Sequence, residues 1–139
     1  MKQPAIKHQA PGVAELTPAH YCAMIKWIDR KSADWALTQD DVGNLLGGIS
    51  TRTYRDWLKK SQAETLEMLS RDVVERISLL LGIDKALALS APEGFHNDFF
   101  IRPNTNPLFA NTSIREYLLS NGSMLAMYNV RRYLNAQRG

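Results

Sequence analysis

The sequence predicts an all-α protein. Apolar residues recur three and four positions apart over much of the chain, and capping residues and short turn clusters separate these stretches. No segment alternates apolar and polar side chains as a half-buried strand would. The 139 residues suffice for one compact domain or two small ones sharing a core. A hydrophobic content of 45% argues against disorder of the whole chain. The formal net charge of +3 permits an anionic partner without requiring one. The single cysteine, Cys22, cannot form an internal disulfide and is expected as a small buried thiol rather than a nucleophile. The N-terminus lacks the apolar core of a secretory signal, and no apolar run approaches the roughly 18 residues of a membrane helix. The expectation is a cytoplasmic protein with no membrane partner.

Residues 1–16 show little periodicity and carry Pro4, Pro11 and Gly12, which predicts a flexible arm. Thr17 then precedes Pro18, an N-cap followed by a first-turn proline. Tyr21, Met24, Ile25 and Ile28 place an amphipathic helix over 18–32, with Trp27 and Trp35 packing near its end. Two shorter helices are expected at 39–46 and 51–60, followed by a connector of unassigned form. Ser70 caps the next helix, whose apolar stripe is Val73, Ile77, Leu80, Leu81 and Leu87, with Arg71, Asp72, Glu75 and Arg76 on the other side. Gly82 marks either a break or a point of close packing. After Leu89, "FHNDFFI" is a short aromatic segment and "RPNTNPLFANTS" favours turns and a rigid extended path. Ser113-x-x-Glu116 is a capping box for a short helix through Leu119. "SNG" ends that helix, and Ser123 caps a last one bearing Leu125, Tyr128, Tyr133 and Leu134.

The stretch "LTQDDVGNLLGGISTRTYRDWLKK", residues 37–60, has the makings of a helix-turn-helix. Such a unit needs one helix that crosses the DNA backbone and a second that lies in the major groove. Gln39, Gly43 and Gly47 fall four apart: the first suits a phosphate contact, the second permits close helix approach, and the third closes the helix. Val42, Leu45 and Leu46 face inward. Ser50 caps the second helix and its hydroxyl suits a phosphate oxygen. Tyr54, Trp57 and Leu58 form the buried face, which leaves Thr51, Arg52, Arg55 and Lys59 on the other. Arg52 and Arg55 are the candidates for base contacts, because a guanidinium can donate two hydrogen bonds to guanine O6 and N7. Gln39, Ser50 and Lys59, with Lys60 beside it, fit phosphate contacts better. A structural helical hairpin with a solvated basic face is the plainer alternative. Against it, a glycine inside a helix costs about 1 kcal/mol relative to alanine, which points to tight packing at Gly43.

The segment "GNLLGGISTRTYRDWLKK" resembles the Xre-like helix-turn-helix of bacterial antitoxins, whose usual form has "LLGVS" before the second helix; Gly48 is an extra glycine here. The segment from Phe99 to the C-terminus is similar to the toxin-binding domain of the MbcA/ParS/Xre antitoxin set. Phe100, Arg102, Pro103, Asn104, Leu108, Leu118, Leu119, Tyr133 and Leu134 occupy that family's characteristic places. Phe100 stands where tryptophan is commoner, and Asn111 and Ser113 stand where glycine and proline are common. The resemblance covers roughly residues 35–139. It implies a type II antitoxin that occludes a RES-domain toxin acting on NAD and represses the shared operon. Together with the arm read above, the expected organisation is arm (1–16), helix-turn-helix region (17–69), connecting or dimerisation helix (70–94) and toxin-binding domain (95–139). The toxin-binding residues would then be Arg102, Asn104, Asn106, Arg131, Arg132, Tyr133 and Arg138. A homodimer within a larger toxin–antitoxin complex is expected, since one short helix buries little and a dimer reads two half-sites.

From Tyr117 to Gly139 the chain has Arg131, Arg132 and Arg138 and no carboxylate. A cationic end suits docking near a pocket for a dinucleotide's phosphates, and equally suits the dipole at a helix C-terminus. The histidines His8, His20 and His96 have no metal-site spacing with Cys22 or a carboxylate. Gly47-Gly48 lacks the lysine of a phosphate loop. Asp40-Asp41 is explained by the dipole at a helix start more simply than by acid–base chemistry. No enzymatic activity, cofactor or metal is expected. A stand-alone dimeric helix-turn-helix regulator and a protein-interaction adaptor are the competing readings; a RES-type toxin in the neighbouring gene separates the first from the antitoxin.

Overall fold

The computed structural model describes residues 16–138, and of Arg138 the backbone alone, so the arm expected at 1–16 lies outside the described residues but for Leu16. The described residues form α1 (Pro18–Asp34), α2 (Gln39–Leu45), α3 (Thr51–Gln62), α4 (Arg71–Ser90), α5 (His96–Ile101), a 3-10 turn (Pro107–Phe109), α6 (Ile114–Asn121) and α7 (Met124–Arg138). No strand occurs among them, and the all-α class stands.

Capping sets most of the boundaries. The Thr17 hydroxyl accepts from His20 N, and His20 Nδ1 accepts from Thr17 N at 2.9 Å, so a histidine closes the box that a glutamate usually would. Thr38 and Asp41 form the same reciprocal pair at the start of α2. Ser50, Ser70 and Ser113 each accept one backbone N–H at the starts of α3, α4 and α6. At Ser113 only half of the expected box forms, because the Glu116 carboxylate meets Arg115 instead. Gly122, in the left-handed region, ends α6 two residues beyond the expected Leu119.

α4 runs unbroken through Gly82, so that glycine marks close packing. An added Cβ there would lie 3.0 Å from the Arg131 guanidinium on α7. α4 and α7 share the longest interface, α1 packs on α3, and α5 and α6 bridge from α4 to α7. A single apolar cluster runs through all of these helices, from Tyr21 on α1 to Leu134 on α7.

Two stripes differ from expectation. On α7 the buried positions are Ala126, Met127, Val130 and Leu134, whereas Leu125 and Tyr128 are 69% and 55% exposed. Met127, Val130 and Leu134 are spaced three and four apart and share a face; Leu125 and Tyr128 are out of phase with Leu134. On α4 Leu81 is exposed, and Val74, Ile83 and Ala86 complete the buried face. "FHNDFFI" also proves helical: its Phe100 is buried and stacks on Trp35, with ring centroids 3.8 Å apart. Trp27 meets the same indole edge-on at 6.1 Å.

Candidate functional site

The α2–turn–α3 unit is built around backbone proximity. An ideal Cβ on Gly43 would overlap the Ile49 carbonyl oxygen, and the Gly43 carbonyl accepts from both Gly48 N (3.0 Å) and Ile49 N (2.9 Å). The close approach therefore lies between α2 and the turn, not between the two helices. Gly47 and Gly48 have φ of 103° and 86°, where side chains are disfavoured. Gly47 also sits against Asp72 and Arg76 of α4, while Gly48 faces open space. The extra glycine is thus absorbed as a second left-handed residue in the turn.

On α3, Tyr54 is fully buried and Trp57 and Leu58 are half-buried against the core. The Tyr54 hydroxyl donates to Asp29 Oδ1 of α1 at 3.3 Å. Burial first, and then the Asp29 carboxylate and this hydrogen bond, push the Tyr54 phenol well above its ordinary pKa. At about 100° per residue, Arg52, Asp56 and Lys59 lie opposite Tyr54, with Arg55 to one side. Arg52, Arg55 and Lys59 are all exposed.

The remaining candidates on this side are partly engaged. Arg55 Nε donates to Gln39 Oε1 at 2.7 Å. The Thr51 hydroxyl donates to the Asp40 carboxylate. Ser50 Oγ accepts from Thr53 N and bonds the Thr53 hydroxyl at 3.0 Å, so its hydroxyl serves the cap. Asp56, which forms an ion pair with Lys60 at 3.1 Å, was not singled out from the sequence. Its position four residues before Lys60 is the sequence signal for that pair.

The C-terminal candidates fall into two neighbouring groups. Arg102 pairs with Asp98 at 3.6 Å and lies over the Phe99 ring at 4.2 Å. Asn104 Oδ1 accepts from Asn106 N at 2.8 Å, and Asn106 Oδ1 accepts from Leu108 N at 2.9 Å, so both asparagines fold the loop through their side-chain oxygens. Tyr133 is half-buried, edge-on to Phe109 at 5.2 Å. Asn104 and Tyr133 line one cleft of about 520 Å³ whose walls are Leu87, Phe99, Ile114 and Leu134. Arg131 and Arg132 border a hollow of about 300 Å³ beside Leu79 and Tyr128, and Arg132 lines a further one with Tyr133 and Leu108. The Arg138 side chain lies outside the described residues.

Polar contacts tie α2 to α6. One Arg76 nitrogen donates to the Leu45 carbonyl (3.3 Å) and to the Gly122 carbonyl (3.0 Å). Asn44 Nδ2 donates to Leu119 O at 3.4 Å, and Arg115 pairs with Asp41 at 3.4 Å while its Nε donates to Ala36 O, just before α2, at 3.0 Å. Among the described residues no group of three histidine, cysteine or carboxylate side chains could hold a metal ion, and no helix is long and apolar enough to cross a membrane.

No family model and no solved structure matches the sequence. The chain is similar to the uncharacterized protein y4oB of Sinorhizobium fredii (strain NBRC 101917 / NGR234): 37% of 123 residues are identical, over 88% of this chain and 86% of that protein. At that identity and coverage, the chain belongs to the same family as y4oB.

Proposed function

We propose that the chain is a cytoplasmic type II antitoxin that reads operator DNA through α3 and binds a RES-domain toxin through the region after residue 95. The observation that carries the DNA-reading half is the outward face of α3. Arg52 and Lys59 emerge opposite the fully buried Tyr54, with Arg55 beside them, on a short helix whose preceding turn is held against α2 by the contact at Gly43. Guanidinium groups so presented suit guanine edges, and Lys59 suits a phosphate. The toxin-binding half rests on the resemblance of the Arg102–Asn104 turn and the Tyr133–Leu134 helix to the antitoxin pattern. The self-bonded turn through Asn104 and Asn106 supports it, because a pre-folded loop loses little entropy on docking. The reading includes a homodimer on DNA.

Operator binding tests the first half. Fluorescence anisotropy with a duplex from upstream of the gene should give an affinity that falls steeply with salt. Arg52→Ala should weaken specific binding by about 5- to 150-fold and leave toxin neutralisation intact. Loss of both functions in Arg52→Ala, or salt-independent binding, would contradict the proposal.

A further inference from the structure

The hydrogen bond between Arg55 and Gln39 joins a side chain suited to base edges with one suited to a phosphate. Gln39 is the first residue of α2 and is half-buried, while Arg55 is exposed on α3. The bond at 2.7 Å runs from Arg55 Nε, the inner N–H, to Gln39 Oε1. It therefore leaves both terminal nitrogens of the guanidinium with their hydrogens, and those are the donors that span guanine O6 and N7. It also fixes the guanidinium plane. The Gln39 side-chain NH2 makes no hydrogen bond to any described residue, so its two donors remain for a phosphate oxygen.

A second link stands beside the first. Asp40, the next residue of α2, accepts from Thr51, one turn before Arg55 on α3. Consecutive residues of α2 thus hold positions one turn apart on α3, and the register between backbone contact and groove face is fixed at both. Arg52 has no comparable partner among the described residues.

We propose that Gln39 is a positioning residue for base reading: its amide anchors on the DNA backbone and holds the Arg55 guanidinium in the plane that reads one guanine. This rests on the DNA-reading function proposed above. An arginine ordered in advance loses less freedom on binding than a free one, so its discrimination is sharper. Gln39 acts through Arg55 and touches no base itself.

The test is selection from a random-sequence duplex library by the full chain, with sequencing of the bound fraction, for wild type, Gln39→Ala, Gln39→Glu, Arg55→Ala and Arg52→Ala. Arg55→Ala should erase preference for one guanine, by about 5- to 150-fold. Gln39→Ala should erase most of that same preference and leave the position lost in Arg52→Ala intact. Gln39→Glu keeps an acceptor for Arg55 but loses the amide donors, so it should retain the guanine preference while binding every duplex more weakly. An unchanged profile in Gln39→Ala, or an equal loss at every position, overturns the positioning role and leaves the DNA reading standing. So does an unchanged profile in Arg55→Ala. If the wild-type chain enriches no sequence, the DNA reading falls and the positioning role with it.

Discussion

Gly43 and Tyr54 carry the strictest demands placed on single residues. At Gly43 a methyl group has nowhere to go, because the Ile49 carbonyl occupies its place and is held there by two backbone hydrogen bonds to the Gly43 carbonyl. Gly43→Ala should therefore destabilise the protein by about 1–3 kcal/mol, read as a fall in denaturation midpoint, despite alanine's better helix propensity. A stabilised Gly43→Ala would show that the turn can move away. Tyr54 makes a pH-dependent contribution whose sign follows from its raised pKa. The folded state holds the phenolic proton more tightly than the unfolded chain does, so the contribution is complete below the unfolded value of about 10 and is lost as pH rises beyond it. Chemical denaturation at pH 9 and pH 11.5 should show wild type losing its advantage over Tyr54→Phe at the higher pH. A gap that is constant or widens contradicts the assignment.

Between elements, the joint that matters most is polar and long-range. Lys31, near the end of α1, has only 10% of its side chain exposed and lies 2.9 Å from Asp84 Oδ1 of α4. Its ammonium also donates to Asn97 Oδ1 of α5 at 3.0 Å, and the Trp35 indole N–H donates to the same oxygen at 3.1 Å. His96 stands 3.8 Å from Asp84. Removing the lysine leaves a largely buried carboxylate without its partner, so Lys31→Ala should cost about 3–5 kcal/mol, more than alanine at the exposed Lys59 costs. Equal effects in a denaturant titration would show the pair to be incidental. This joint was not legible in the sequence, because Lys31 is more than fifty positions from both Asp84 and Asn97 and periodicity carries no information across that distance. What was legible is local. Caps at Thr17, Ser50 and Ser70 depend on residues three positions apart, and the face opposite Tyr54 on α3 follows from helical spacing alone. The α7 stripe was misread because Leu125 and Tyr128 are large apolar residues, whereas the true face is marked partly by the small Ala126. Arg55 and Thr51 were identified as outward residues, but their bonds to Gln39 and Asp40 needed the distance between helices.

Across the whole molecule, α3 and the C-terminal region share one apolar cluster, and α2 is tied to α6 through Arg76, Asn44 and the Arg115–Asp41 ion pair. Stable placement of α3 therefore depends on helices near the C-terminus as well as on its own turn. The proposed division of labour is one of surfaces, with α3 offering guanidinium groups to DNA and the Asn104–Tyr133 cleft and neighbouring arginines offering a surface to a toxin. Co-expression with the product of the adjacent gene tests that claim most directly, with growth and co-purification as readouts. The account predicts that the neighbour arrests growth alone, that this chain restores it, and that the two purify as a stable complex. A neighbour that is harmless by itself and a chain that purifies without it would contradict the antitoxin function.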